Sequence, residues 1–150
     1  MYLRYIGGVN SNLYVFLTQM KRIEVVAAII VNEDKILCVQ RGEHKYNYIS
    51  RKYEFPGGKI EDGERKEEAL IREINEELKM EIKTLKEFVT IIHEYPDFLL
   101  TMHSYICTCK NSSLELTEHI DFKWLGKNEL RGLDWAAADV PIVEKLVING

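Results

Sequence analysis

With 150 residues, 46% of them hydrophobic and 29% charged, the chain has the size and composition of one globular domain with a real core. A formal net charge of −4 excludes a general electrostatic binder of nucleic acid or anionic membrane, so a polyphosphate ligand would need bridging cations. The three cysteines, Cys38, Cys107 and Cys109, have no metal-ligand spacing, which argues against a disulfide framework and a zinc site and suits a reducing, cytoplasmic location. No apolar run reaches the roughly 18 residues of a membrane span.

Residues 1–19 are mildly apolar, with no signal-peptide core, and are read as an N-terminal extension of a domain over 20–150. Residues 23–31, a continuous run of Val, Ile and Ala, predict a buried strand, and 36–39 a second one across the turn at 32–35. Residues 42–52 are polar with several tyrosines and read as a loop; Phe55-Pro56-Gly57-Gly58 reads as a break in regular structure. Between 64 and 80 no Gly or Pro intervenes, and Leu70, Ile74 and Leu78, with Ile71 beside them, mark the apolar stripe of a helix. Residues 88–93 and 99–108 read as strands joined at Tyr95-Pro96-Asp97, with Cys107 and Cys109 on one face. A short strand at 122–125 follows. A last helix begins at Asp139-Val140-Pro141, with Asp139 near its cap, and runs to about Ile148. This order predicts one α/β domain with a mixed β-sheet between helices.

Glu73, Glu76 and Glu77 stand at i, i+3 and i+4, so their carboxylates leave one face of the predicted helix, beside its apolar stripe. By itself such a triplet is common on solvated helices, where like charges cost only about 0.2–0.5 kcal/mol a pair. The neighbouring residues favour a site. Gly57-Gly58 allows close approach of backbone to a ligand. Glu64, in the first helical turn, meets the positive end of the helix dipole. Arg72 can hold a neighbouring carboxylate by ion pairing. Oxygen ligands of this kind suit magnesium, which takes one or two carboxylates plus substrate phosphates. The ion would polarise phosphorus and acidify bound water, leaving a carboxylate free to take the proton.

The segment from Gly58 to Met80 resembles the Nudix box, Gly-x5-Glu-x7-Arg-Glu-U-x-Glu-Glu-x-Gly-U with U aliphatic. Gly58, Glu64, Arg72, Glu73, Ile74, Glu76 and Glu77 fall in register, and Met80 fills the last apolar position. Lys79 stands where the box has the Gly that eases the chain out of the helix. Glu54-Phe55-Pro56-Gly57-Gly58-Lys59 is similar to the MutT-like branch of the family. The resemblance implies a Nudix-type α/β/α sandwich. It also implies a Mg²⁺-dependent pyrophosphohydrolase, with Mn²⁺ as a substitute, that cleaves a nucleoside triphosphate to a monophosphate and pyrophosphate. Its partner would be the nucleotide, with no stable nucleic-acid partner, and the protein would be a monomer or homodimer.

The same resemblance implies that Gly57, Glu73, Glu76, Glu77 and Glu118 hold metal, with Glu64 and Arg72 completing the catalytic candidates. Glu73 is the first choice of base, and Glu77 and Glu118 are alternatives. Arg41 and Lys59 are expected to meet phosphate or base, Ile23, Val25, Ala27 and Phe98 to line the base pocket, and Asp139 to face the base. An ionised Asp139 only accepts hydrogen bonds, which suits guanine N1–H and N2–H₂ or cytosine N4–H₂. Oxidised guanine and cytosine nucleotides therefore both remain open; the expected substrate is 8-oxo-dGTP, in nucleotide-pool sanitising, with CTP, dCTP or a modified cytosine nucleotide as the alternative. A module that senses a nucleotide without turning it over is the reading from another class. Such modules often lose box carboxylates, and none is lost here.

Overall fold

A computed structural model describes residues 20–149, so the extension expected at 1–19 lies outside the described residues. The first apolar run forms β1 (Lys21–Asn32). Its residues are buried alternately on two faces, Ala27 and Ile29 in one apolar cluster and Val26, Ala28 and Ile30 in another. Burial on both sides is why the run is continuous rather than alternating. β2 (Lys35–Gln40) returns through a hairpin whose Glu33 and Asp34 take φ of 49° and 63°, as a tight two-residue turn requires.

The strands β5 (Ile82–Glu94) and β6 (Phe98–Cys109) form a long antiparallel hairpin, and β6 runs parallel to β1 from Lys21 opposite Phe98 to Val31 opposite Thr108. Short strands complete the sheet: β3 (Tyr53–Glu54) and β7 (Asp121–Leu125) pair with β2, and β4 (Gly57–Lys59) pairs with β1. The sheet is thus mixed, as expected. β5 begins at Ile82 rather than at 88. It is an edge strand paired on one side only, and its early exposed residues Lys83, Leu85 and Lys86 do not alternate cleanly enough to announce it.

Each face of the sheet carries one helix. On one, α1 (Lys66–Leu78) buries Ala69, Leu70, Ile74 and Leu78 against Val26, Ala28, Ile30, Leu37 and Val39. Full burial of each large aliphatic chain contributes about 1.5–3 kcal/mol. Ile71 lies off this stripe and is 43% exposed. On the other face, α2 (Val140–Ile148) sets Ile142, Val143 and Leu146 against Ile29, Ile36, Cys38 and Met102. Cys107 is buried in the α1 cluster with Cys109 packed against it, and all three cysteines are free thiols.

The ends of α1 differ from expectation at one end and resolve a question at the other. Arg65 is its N-cap, so Glu64 lies just outside the helix and not in its first turn. Arg65 has no side-chain acceptor; its backbone N–H instead donates to Glu68 Oε2 at 3.3 Å, the reverse half of a capping box. At the other end Lys79 takes the left-handed conformation, φ 54° and ψ 35°, and its N–H donates to the Asn75 carbonyl at 3.0 Å. Lys79 thus performs the helix exit that the box assigns to glycine.

Candidate active site

The expected break at Phe55-Pro56-Gly57-Gly58 is instead a strand edge. Ala28 N–H donates to the Pro56 carbonyl at 2.8 Å, with Gly57 opposite Ala27 and Gly58 opposite Val26. A Cβ on Gly57 would overlap the Val26 carbonyl, and one on Gly58 would overlap the Glu73 carboxylate. The glycines therefore let backbone meet backbone at one position and carboxylate meet backbone at the next. This contact fixes how α1 presents its acids to the sheet.

Arg72 organises the outer acids. Its Nε donates to Glu64 Oε2 at 2.8 Å and its Nη2 to Glu64 Oε1 at 2.9 Å, a bidentate pair. Nη1 donates to Glu73 Oε1 at 2.9 Å and to Glu76 Oε2 at 3.2 Å, and Nη2 also reaches the Lys59 carbonyl at 3.1 Å. The Arg72 hydrogen bonds hold the Glu64 carboxyl down at about 2. Glu73 and Glu76 do not share one environment: their side chains are 14% and 59% exposed. Glu73 is thus the shielded member and Glu76 the rim.

Glu77 points inward. Its Oε2 is buried and has no hydrogen-bond partner. Burial pushes its carboxyl up to about 8, and the charges of Glu73, Glu118 and Glu54 push the same way. Glu118 is brought there by its own loop: Thr117 N–H donates to the Glu77 carbonyl at 3.1 Å, the Thr117 hydroxyl donates to the Glu76 and Glu77 carbonyls at 3.2 and 3.0 Å, and Ile120 N–H donates to the Gln40 carbonyl at 3.0 Å. Among the described residues, no three acidic, histidine or cysteine side chains converge on a single point, because Arg72 draws Glu73 and Glu76 towards itself. The donor set nevertheless fits a hard divalent cation. All its side-chain donors are oxygens, and one of them is buried, unpartnered and held among like charges.

The residues expected to meet the nucleoside divide into three groups. Ile23, Val25, Ala27 and Phe98 lie on the α2 face of the sheet, Ala27 and Phe98 in its buried cluster and the other two packed against it. Lys59 is exposed at the rim beyond Gly58. Arg41 pairs with Glu54, Nε to Oε1 at 3.4 Å, and both charges act on Asp139. Asp139 is the N-cap residue of α2, as expected, but it is only 4% exposed and its side chain makes no capping bond; its Oδ1 instead accepts the Phe55 N–H at 2.9 Å. Burial first, and then the Glu54 charge, push its carboxyl well above the usual range. Burial thus disfavours the ionised form, in which Asp139 only accepts; a protonated carboxyl would also donate.

Several residues of this region escaped the sequence reading. Tyr46 and Tyr48 stack at 5.1 Å, Tyr48 stacks on Tyr95 at 5.1 Å, and Tyr95 packs on Phe98. The Tyr95 hydroxyl accepts the Ala138 N–H at 3.0 Å, joining this aromatic ladder to the start of α2. Glu54 and His119 form a further pair. The available signals were the tyrosine density of the 42–52 loop and the adjacency of His119 to Glu118.

A mixed sheet between two helices, with an acid-bearing helix entered from a Gly-Gly strand, is a Nudix architecture, and the chain belongs to this family: the NUDIX domain profile matches residues 25–145. Among characterised relatives, the chain is 34% identical over 125 residues to a CTP pyrophosphohydrolase of Escherichia coli, covering 83% of this chain and 91% of the relative. It is 29% identical over 127 residues to an 8-oxo-dGTP diphosphatase of the same organism, covering 85% and 98%. The solution structure of the MutT Nudix hydrolase from a methicillin-resistant Staphylococcus aureus superimposes with a TM-score of 0.69 at 41% identity, over 88% of this chain and 100% of the other.

Proposed function

We propose that this chain hydrolyses a (deoxy)nucleoside triphosphate to the monophosphate and pyrophosphate with magnesium, and that 8-oxo-dGTP is its substrate. The observation that carries this reading is Glu77: a buried, unpartnered carboxyl oxygen among the charges of Glu73, Glu118 and Glu54 is a place where a divalent cation replaces a proton and relieves the crowded acids. The residues that would hold it are Glu73, Glu76, Glu77 and Glu118, with the Gly57 carbonyl. When bound, Mg²⁺ supplies polarisation of phosphorus and acidification of water. Glu73, shielded and steadied by Arg72, is the acceptor for the water's proton. Arg41 and Lys59 face the phosphates or base, and Glu64 keeps Arg72 in place.

On the nucleoside side, half-buried Tyr46 and Tyr48 offer flat apolar surface to a base, with buried Tyr95 and Phe98 packed behind them, and Asp139 reads its edge. An Asp139 able to donate and accept suits the adjacent O6 and N1–H of a guanine, and also cytosine N3 and N4–H₂. The second reading, a cytosine nucleotide, is favoured by the 34% identity to the CTP pyrophosphohydrolase. Among the described residues no helix is long and apolar enough to cross a membrane. The three free thiols support a reducing compartment, and the cytoplasm is the proposed location.

Pyrophosphate release should be measured against 8-oxo-dGTP, dGTP, CTP and dCTP, with Mg²⁺ and with EDTA. The expected result is Mg²⁺-dependent release from one of them, abolished by Glu76→Gln. A folded chain that turns over none of these nucleotides with Mg²⁺ present is a sensing module instead.

A further inference from the structure

Two buried side-chain polar atoms among the described residues have no hydrogen-bond partner, Glu77 Oε2 and His119 Nδ1. The first belongs to the cation site proposed above. The second belongs to a residue with no part in that reading, although it adjoins Glu118 in the chain. The His119 side chain is 6% exposed, and its Nε2 lies 3.2 Å from Glu54 Oε1. A carboxylate only accepts, so the neutral ring places its proton on Nε2 and leaves Nδ1 as a bare acceptor. Glu54 Oε1 is also approached by Arg41 Nε at 3.4 Å, and the Glu54 charge acts on both Glu77 and Asp139. His119 therefore grips a carboxylate whose charge reaches both the acids of α1 and the nucleoside end of the site.

We propose that His119 is a positioning residue that, with Thr117, holds Glu118 in place for cation binding by tying its loop to Glu54; the inference rests on the metal-dependent reading above. Glu118 itself is exposed on a loop, where an unrestrained glutamate would lose rotamer freedom on ligating an ion. Its two neighbours fix the backbone from which that side chain projects, so less of the loop has to be ordered when an ion binds. On one side the Thr117 hydroxyl grips the carbonyls of Glu76 and Glu77. On the other, the buried His119 ring anchors the loop and ties it through Nε2 to β3 at Glu54. The arrangement couples three segments, the end of α1, the loop at 117–120 and the strand at Glu54, through one tripeptide.

The alternative is that His119 only fills space, and two substitutions separate the cases. His119→Leu keeps the apolar volume and removes the donor; His119→Gln places an amide N–H near the position of Nε2. Mn²⁺ binding to the nucleotide-free chain, followed by electron paramagnetic resonance, should be measured beside steady-state kinetics and thermal unfolding. The expected result is Mn²⁺ affinity and kcat weakened by about 10–100-fold in His119→Leu, the usual effect of losing a partner of a metal-binding group, with most of both restored in His119→Gln. Wild-type binding by His119→Leu overturns the proposal, as does equal impairment of both variants with unchanged thermal unfolding. Should the Leu variant not fold, Gln against the shorter Asn decides in the same way: a difference in Mn²⁺ affinity supports the proposal, and equality overturns it. A wild-type chain that binds no Mn²⁺ sinks the metal-dependent reading itself, an outcome distinct from normal wild-type binding with an indifferent His119.

Discussion

Arg72 makes hydrogen bonds to three glutamates and a backbone carbonyl, and Glu61 lies 3.7 Å from the same guanidinium. Only a planar fork with five donors can do this; a lysine offers one point charge. Arg72→Lys should therefore leave the fold intact, as read by circular dichroism, while kcat/KM falls by at least about 10-fold. Unchanged kinetics would mean that the acids are set by the helix alone. The carboxyls around this hub pull in opposite directions with pH. Glu77, pushed up to about 8 by burial and then by its acidic neighbours, holds a proton in the folded chain where the unfolded chain, at 4.5, has lost it. Its linkage lowers stability as pH rises from 4.5 towards about 8. Asp139, raised by burial and by Glu54, adds the same sign. Glu64, held at about 2 by Arg72, contributes stability above 4.5 and loses it as pH falls towards 2. In EDTA the unfolding midpoint should thus decline from pH 4.5 to about 8, and Glu77→Gln should remove part of the decline. A bound divalent cation should displace the Glu77 proton and flatten the slope; a slope insensitive to Mg²⁺ would separate Glu77 from the cation.

At the scale of elements, α1 was legible because its stripe, Leu70, Ile74 and Leu78, repeats with helical spacing and is fully buried. Its ends were less so. The start is set by Arg65, a residue with no capping preference, and the exit by Lys79 in a conformation that costs an L-residue roughly 1–2 kcal/mol. Lys79→Gly should relieve that strain, less the larger unfolded-chain entropy of glycine, for a net gain of about 0.5–1 kcal/mol. For a domain of this size that is a midpoint rise of about 2 °C, measurable by calorimetry; a lower midpoint would show that the lysine side chain contributes contacts of its own. The strands β3 and β4 were missed for a different reason. Two- and three-residue strands beside a proline and two glycines carry no periodicity, and they exist because β1 and β2 offer them edges.

At the scale of the whole molecule, the layering of sheet between helices followed from β1, whose unbroken apolar run already required cover on both sides. The acids of the candidate site were legible as a motif. What could not be read was their inequality: Glu73 shielded, Glu76 open and Glu77 with one oxygen buried differ through packing against Gly58 and the 117–120 loop, contacts made by residues far apart in sequence. Glu54, His119 and the tyrosine ladder were hidden for the same reason, since each gains its role from a partner on another element.

The parallel pairing of β1 with β6 sets an order on assembly. Lys21 meets Phe98, 98 − 21 = 77 residues later, whereas β5 and β6 are neighbours joined by a tight turn and can zip together on their own. During synthesis, β1 leaves the ribosome long before its main partner exists. A nascent chain halted before residue 98 would carry β1 with β2, β4 and α1 but without β6 along its other edge or α2 over its second face. Such a fragment is a natural client for chaperones and a seed for aggregation, so the same strand that centres the finished domain is its point of greatest exposure while it is being made.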